Sequence, residues 1–428
     1  MFTPLLFAQS FNKVYVSSGT ELFKNVFKTD VGYDAFGMTT SGSGSPSTYD
    51  LLFAKLDSCG EVIHAYAYGG FRSENLTGVV QNSSGNYVVI CQSLSYTSVL
   101  NGYEQDVLAL EIKPNGDVFQ SKLIQRSNNS FRSRERPKHL ILCSSGGYLI
   151  SGNDEGNGSR YDDPSILKLD NTLTPVWYRS FSIDGEDNAY GITELSSGRL
   201  ITVYSEERNR DLVFMKHNAQ GNVLKRVQMS SRSYLYNIAG TGTSLNDKSY
   251  FLTRTNLIPP TYVLMKVDSN LNLEWSKEYN ISGGMTLNSI KEINGVLYAT
   301  GHTSNNNEAL ILKLDTSGAV LWSKNIDNGS NTAGYLYNLE ADKKGNLIGV
   351  GMVSNPSSGN DAFILLSDTS SSLVGCESTA TASIQVRDFP LTSSTLSNPS
   401  EVNVFKSWNR SVTKTTLSLV DTNLCPLE

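Results

Sequence analysis

The chain has 428 residues, a formal net charge of −6 and only 18% charged residues. This mild acidic balance excludes a general nucleic-acid binder, which needs a basic face. No run of roughly 18 apolar residues is present, which excludes a membrane-spanning helix. Abundant Ser, Thr, Asn and Gly, with 21 Tyr, point to strands and turns.

In chain order, Leu5-Leu6-Phe7-Ala8 before Gln9-Ser10 reads as the end of an apolar secretory segment with a small residue at the cut. Residues 1–10 are therefore expected to be a signal remnant or disordered start. From residue 11 onward, two signatures alternate. The first is an apolar strand usually opened by Gly: GYDAFGMT at 32, GNYVVICQS at 85, GGYLISGN at 146, GRLITVYS at 198, KSYFLTRT at 248, GVLYATGHT at 295 and GNLIGVGMV at 345. The second is an apolar strand ending in K-L-D or a variant, followed by a tight turn and another strand. It reads LLFAKLDSCGEV at 51, LALEIKPNGDV at 108, SILKLDNTLTPVW at 165, LVFMKHNAQGNV at 212, YVLMKVDSNLNLEW at 262, ALILKLDTSGAVLW at 309 and AFILLSDTSSSLV at 362. Trp177, Trp275 and Trp322 take equivalent places after the turn. A further apolar segment precedes each Gly-opened strand, such as AYGITEL at 189. Each unit thus holds four short strands, a to d.

Seven four-stranded units at about 50 residues each predict an all-β, seven-bladed β-propeller over residues 11–375. Phe11 and Tyr15 align with Trp275 and Tyr279. Residues 11–16 are therefore expected to complete the last blade. The alternative is that Ser372–Gly375 does so locally. Residues 376–428 fall outside the repeat; pieces such as ASIQVRD, EVNVFKS and TTLSLVD alternate. They predict a small C-terminal β appendage with Trp408 as its anchor.

The odd count of five cysteines denies a fully paired framework. Cys376 and Cys425 bracket the tail and can close it as a disulfide. Cys91 and Cys143 read as small buried hydrophobes, and Cys59 sits in a turn. The seven N-x-S/T sites, from Asn75 to Asn409, carry little weight in a chain this rich in Asn and Ser.

The pattern I/L-L-K-L-D-x-x-G-x-x-x-W alternating with G-G-Y-x-x-x-G resembles the β-propeller repeats of proteins secreted by Bacteroidota. The resemblance covers about residues 11–375. The tail, with Gly375-Cys376 and a closing Cys425, also resembles the segment that follows such propellers. It implies a secreted or surface-displayed protein, with a link to adhesion in some relatives. No C-terminal sorting pattern follows the tail here.

Catalytic readings fail on spacing. A sialidase-type box needs one residue between Asp and Gly, and Asp315 to Gly318 has two. No G-x-S-x-G elbow is present. Four histidines, His64, His139, His217 and His302, fall in different blades; His64 and His217 are expected to be exposed. No CxxC pair occurs, so no metal or other cofactor is called. Function is expected in the loops that do not repeat. The b–c and d–a connections share one face and are long, whereas the a–b and c–d turns are short. Tyr96, Tyr103, Phe131, Arg132, Arg134 and Tyr161 are the candidate contacts, with Asp163 and Asp187 as acidic partners. The leading reading is a secreted or cell-surface, monomeric module that binds a glycan or a surface protein through this face. A propeller-type glycan hydrolase or lyase with carboxylates in the central funnel is the alternative. A structural spacer is the third.

Overall fold

The computed structural model describes residues 11–423, apart from 43–47, 96–104, 127–133, 156–161, 183–186, 207–210, 231–234, 244–246, 306, 327–332, 343–344, 356–358, 368–383, 397–399, 403–404 and 410–412. The chain is a seven-bladed β-propeller of antiparallel sheets. Blade 1 is built from Glu21–Lys28, Gly32–Thr39, Asp50–Asp57 and Val62–Gly69 as strands a to d. Blades 2 to 6 open with strands a at Glu74–Gln81, Glu135–Leu142, Asp187–Glu194, Leu235–Thr243 and Met285–Ile293. Blade 7 takes its first three strands from Ala333–Ala341, Leu347–Asn355 and Gly359–Ser367, and its fourth is Phe11–Val16. Phe11 pairs with Leu366 and Tyr15 with Ala362, antiparallel.

Strands b and c read as continuous apolar runs because blades cover both their faces. Tyr87 through Cys91 are all no more than 1% exposed. The core lies between blades rather than within one. Phe23, Leu52 and Ala54 of blade 1 share a cluster with Ile348, Val350 and Ile364 of blade 7.

The K-L-D signature has a local cause. In five of the six described c–d turns, all but that of blade 2, an Asp carboxyl or Asn amide oxygen accepts two backbone amides, from the residues two and four positions on. Asp57 takes Cys59 (2.8 Å) and Glu61 (2.9 Å). Asp315 takes Ser317 (2.8 Å) and Ala319 (2.9 Å). Asp170, Asn218 and Asp268 repeat the pattern. This side-chain turn forces the third residue after the Asp into the left-handed region. It is Gly60, Gly221 and Gly318, with φ of 79°, 82° and 81°, but Leu173 and Leu271 in blades 3 and 5, with φ of 57° and 64°.

The choice between Gly and Leu follows the neighbouring blade. Strand d of one blade lies over the c–d turn of the next. A Cβ on Gly60 would sit 2.7 Å from Phe11, on Gly221 2.7 Å from Trp177, and on Gly318 3.0 Å from Trp275. A tyrosine hydroxyl often completes the contact. Tyr15 donates to Gly60 O (2.8 Å), Tyr68 to Gly116 O (2.6 Å) and Tyr279 to Gly318 O (2.6 Å). Where strand d offers no ring, as with Gln120 before blade 3 and Lys225 before blade 5, a buried leucine fills the seam. Leu173 and Leu271 are 0% and 1% exposed. The left-handed φ costs a leucine on the order of 1 kcal/mol, and burial of about 1.5–3 kcal/mol for such a side chain offsets it.

The tail lies against the propeller as short β-strands, each added to a blade rather than to a sheet of its own. After Ser367 it reappears along the outside of the ring, against the order of the blades. Ile384–Asp388 pairs with strand d of blade 5, Thr392–Thr395 with blade 4, Ser400–Val402 with blade 3, Phe405–Asn409 with blade 2 and Thr413–Leu417 with blade 1. Val420–Asn423 then pairs with Phe11–Val16, Lys13 opposite Asn423. Six blades thus gain a fifth strand, and among the described residues blade 6 keeps four. An open outer strand is an aggregation-prone edge, which explains what this belt does physically. Side chains also fasten it. Arg387 pairs with Glu278 at 2.5 Å, and Lys414 sits 3.7 Å above the Tyr66 ring and 3.0 Å from Asp117 of the next blade. Trp408 is in strand register opposite Leu123. Cys376 and Cys425 lie outside the described residues.

The seam rule is testable. Gly318→Leu should lose about 2–3 kcal/mol in urea unfolding, from the left-handed φ and the clash with Trp275. In a background carrying Trp275→Gln and Tyr279→Ile, which copies Gln120 and Ile124 of blade 2, the same substitution should cost about 1 kcal/mol or less. Equal costs in both backgrounds would refute the complementarity.

Candidate functional site

The innermost strands place a second repeated device on the axis. In six strands a the register with strand b skips one residue, Lys24, Thr77, Lys138, Tyr190, Asn288 or Tyr337, and in blade 5 it skips two, Asn237 and Ala239. Such a bulge leaves one residue out of the ladder and re-aims its side chain. The partner strand must let the displaced carbonyl in; a Cβ at Gly37 would meet Leu22 O at 1.7 Å. Lys24, Thr77, Lys138, Asn288 and Tyr337 line one cavity of about 700 Å³ at the centre of the ring. It extends along strands a to Glu292 and Glu340, towards the a–b turns. The backbone device is common to all blades, but the side chains it presents are not.

The charges are unevenly placed. Lys24 Nζ donates to Leu76 O of the next blade (3.1 Å). Burial, and then the charge of Lys138, hold its pKa below the ordinary lysine value. Lys138 is lowered by burial and then by Arg136. Among the described residues no carboxylate forms an ion pair with either lysine. Lower in the channel, Lys291 is paired with Glu340, and Glu292 accepts the Gly295 amide at 2.5 Å. Among the described residues two carboxylates line this cavity, Glu340 in an ion pair and Glu292 with one oxygen on a backbone amide. Thr77 donates to Pro137 O (3.1 Å) and Asn288 to Leu336 O (2.8 Å), each tying its blade to the next. Burial pushes the Tyr337 phenol up to about 12.

Of the sequence-predicted contacts, Tyr96, Tyr103, Phe131, Arg132 and Tyr161 lie outside the described residues. Arg134 pairs with Glu155 at 3.2 Å, and Arg136 with Asp162. Asp163 and Asp187 are 6% and 0% exposed. They belong to a polar row beneath the long-loop face, which in blade 3 runs from Glu135 through Asp154 to Asp163. In blades 1 and 2 the first residue of strand a clips the preceding loop. Glu21 accepts the Ser17 amide (3.2 Å) and Glu74 the Gly70 amide (3.0 Å). Burial, with Asp50 adding to it, raises Glu74 to about 7. Among the described residues this face exposes two large apolar side chains strongly: Phe71 is 81% exposed and Ile258 98%.

The axial set was missed in the sequence because a bulge breaks the period on which strand reading depends. The only cue is a glycine in mid-strand b, at Gly37, Gly152, Gly301 and Gly351. One exposure expectation is corrected. His217 is 0% exposed, because Thr202 Oγ1 (2.8 Å) and Gly221 O (3.1 Å) satisfy both its ring nitrogens inside the core. His64 is half-buried.

The sequence matches no protein-family model and no curated protein. Among solved structures the chain is similar to the polysaccharide lyase Uly1, at 8% identity and TM-score 0.50, covering 83% of this chain and 98% of that one. It is also similar to the NanB sialidase of Streptococcus pneumoniae, at 10% identity and TM-score 0.42, covering 83% and 69%. At these identities the likeness is one of fold.

His139 and His217 give a pH signature. Burial holds both at about 4, whereas the unfolded value is about 6.5. The unfolded chain therefore binds protons first. Stability should fall as pH drops from about 6.5 to 4, by roughly 2 kcal/mol per ring. Denaturant melts at pH 7.5, 6, 5 and 4.5 check this, and His217→Gln should reduce the slope.

Proposed function

We propose that the protein is a binding module that holds a polar segment of a glycan in the axial channel. One observation carries the reading. An otherwise repeating scaffold presents Lys24, Thr77, Lys138, Asn288 and Tyr337, four different hydrogen-bonding side chains at five positions, at one level around a cavity of about 700 Å³. Packing alone asks for no such variety, since each of these five blades makes the same single-residue skip. The volume suits a short oligosaccharide and falls in the size range of small-ligand sites. Rigid strands, not loops, hold the donors, so the site is formed before the ligand arrives. As part of the same proposal the module works outside the cell, a reading supported by the apolar Leu5–Ala8 segment.

A second reading concerns the opposite face. Phe71 and Ile258 project from the long-loop side, on blades 1–2 and 5, and an exposed aromatic such as Phe71 is a residue type enriched where proteins touch. Phe71→Ser and Ile258→Ser would weaken that contact without touching the channel.

The channel reading is tested on a glycan array with wild type, Thr77→Trp and Asn288→Trp. An indole at either position intrudes into the cavity at the level of the polar side chains, and array signals should drop at least tenfold. Phe71→Ser should leave them unchanged. Signals that survive both channel variants place the ligand elsewhere.

A further inference from the structure

Resting on the channel reading, we infer that the ligand segment carries an anionic group, a carboxylate or a sulfate ester, seated between Lys24 and Lys138 beside Thr77. The three residues occupy the same bulge position in blades 1, 3 and 2, so they are consecutive around the axis. Lys24 leans across to blade 2, where one of its N–H groups is taken by Leu76 O at 3.1 Å. The ammonium has two more to give. Lys138 has no hydrogen bond or ion pair among the described residues and is exposed to the channel. The two ammonium groups are near enough for the charge of Lys138 to act on Lys24.

Two like charges on adjoining inner strands, in a chain of net charge −6, oppose each other unless something lies between them. The other lining charges do not supply it. Glu340 is taken by Lys291, and Glu292, which accepts the Gly295 amide, forms no ion pair with either lysine among the described residues. Asp162 acts on Lys138 but is paired with Arg136, whose opposing charge acts on Lys138 more strongly. An anion between the lysines turns a repulsive pair into two charge-assisted hydrogen bonds, each stronger than a neutral one. The fixed bulges keep the ammonium groups in place, so the charge selects an acidic sugar over a neutral one of equal size.

The experiment is calorimetric titration of wild type, Lys24→Met, Lys138→Met and Thr77→Trp. The probes are a uronate trisaccharide, a sulfated trisaccharide, a neutral trisaccharide and inorganic sulfate. The uronate or sulfated probe should bind wild type at least tenfold more tightly than the neutral one. Each lysine variant should lose about tenfold for the acidic probe and little for the neutral. The two acidic probes separate carboxylate from sulfate ester. Methionine keeps the stem without the charge, so thermal stability of the variants should be equal to or above wild type, which excludes misfolding as the cause of any loss. Equal binding of neutral and acidic probes, with Thr77→Trp weakened, overturns the charge assignment and leaves the channel. Acidic binding that Thr77→Trp does not weaken overturns the channel reading itself. No binding of any anionic probe to wild type overturns the inference.

Discussion

The ring depends on the seam where strand d of one blade crosses the c–d turn of the next. A propeller sheet cannot bury both faces by itself, so each blade is stable only against two neighbours. The turn supplies the fixed point. Its Asp or Asn caps two amides and drives one residue to a positive φ. That residue and the strand facing it then divide the available space. A ring meets a glycine, and a shorter side chain meets a buried leucine. The same volume is filled in both forms, as close packing requires. The repeated signature is therefore a statement about two blades at once, which is why it recurs so regularly while the strands around it drift.

A scaffold fastened at its outer turns leaves its inner strands free to vary. Strand a makes only one ladder, to strand b, and its inner side looks onto the axis. A bulge there disturbs no second partner. This is the place where a propeller can change side chains without disturbing the seams, and the changes seen at the axis are polar. The opposite holds beneath the long-loop face. There buried carboxylates such as Glu21 and Glu74 are taken up in holding loops to the ends of the blades, so their chemistry is structural.

The architecture was legible because its signals are local and repeated. Asp57, Asp315 and their counterparts mark turns by a mechanism confined to five residues, and the apolar runs of strands b and c reflect burial on both faces. The alignment of Phe11 with Trp275 pointed to the place that residues 11–16 take. Other features left no comparable trace. The path of the tail is set by pairing with strands hundreds of residues away, so its alternating pieces announced strands but not partners. Lys24 and Lys138 come together through ring geometry, which no spacing in the chain encodes. His217 looked like a turn-edge residue and is buried because its two partners, Thr202 and Gly221, are supplied by the fold. The long loops drew attention by length and composition, and most of their named residues lie outside the described part of the chain.

The tail has a consequence for the order in which the molecule can be made. Phe11–Val16 leaves the ribosome first, yet its neighbour Gly359–Ser367 is among the last strands of the ring, and its other neighbour Val420–Asn423 comes later still. The opening strand must wait through the synthesis of the whole propeller with both its edges unpaired. The belt then wraps from blade 5 back to blade 1 and finishes on that same strand. Closing thus comes late and joins the first and last described strands in one sheet. In that sheet Lys13 faces Asn423, so the free ends of the paired strands lie side by side. A force pulling the termini apart would peel this pair open one hydrogen bond at a time, rather than shear all its bonds together. The ring is most open to dismantling at the place where it was completed.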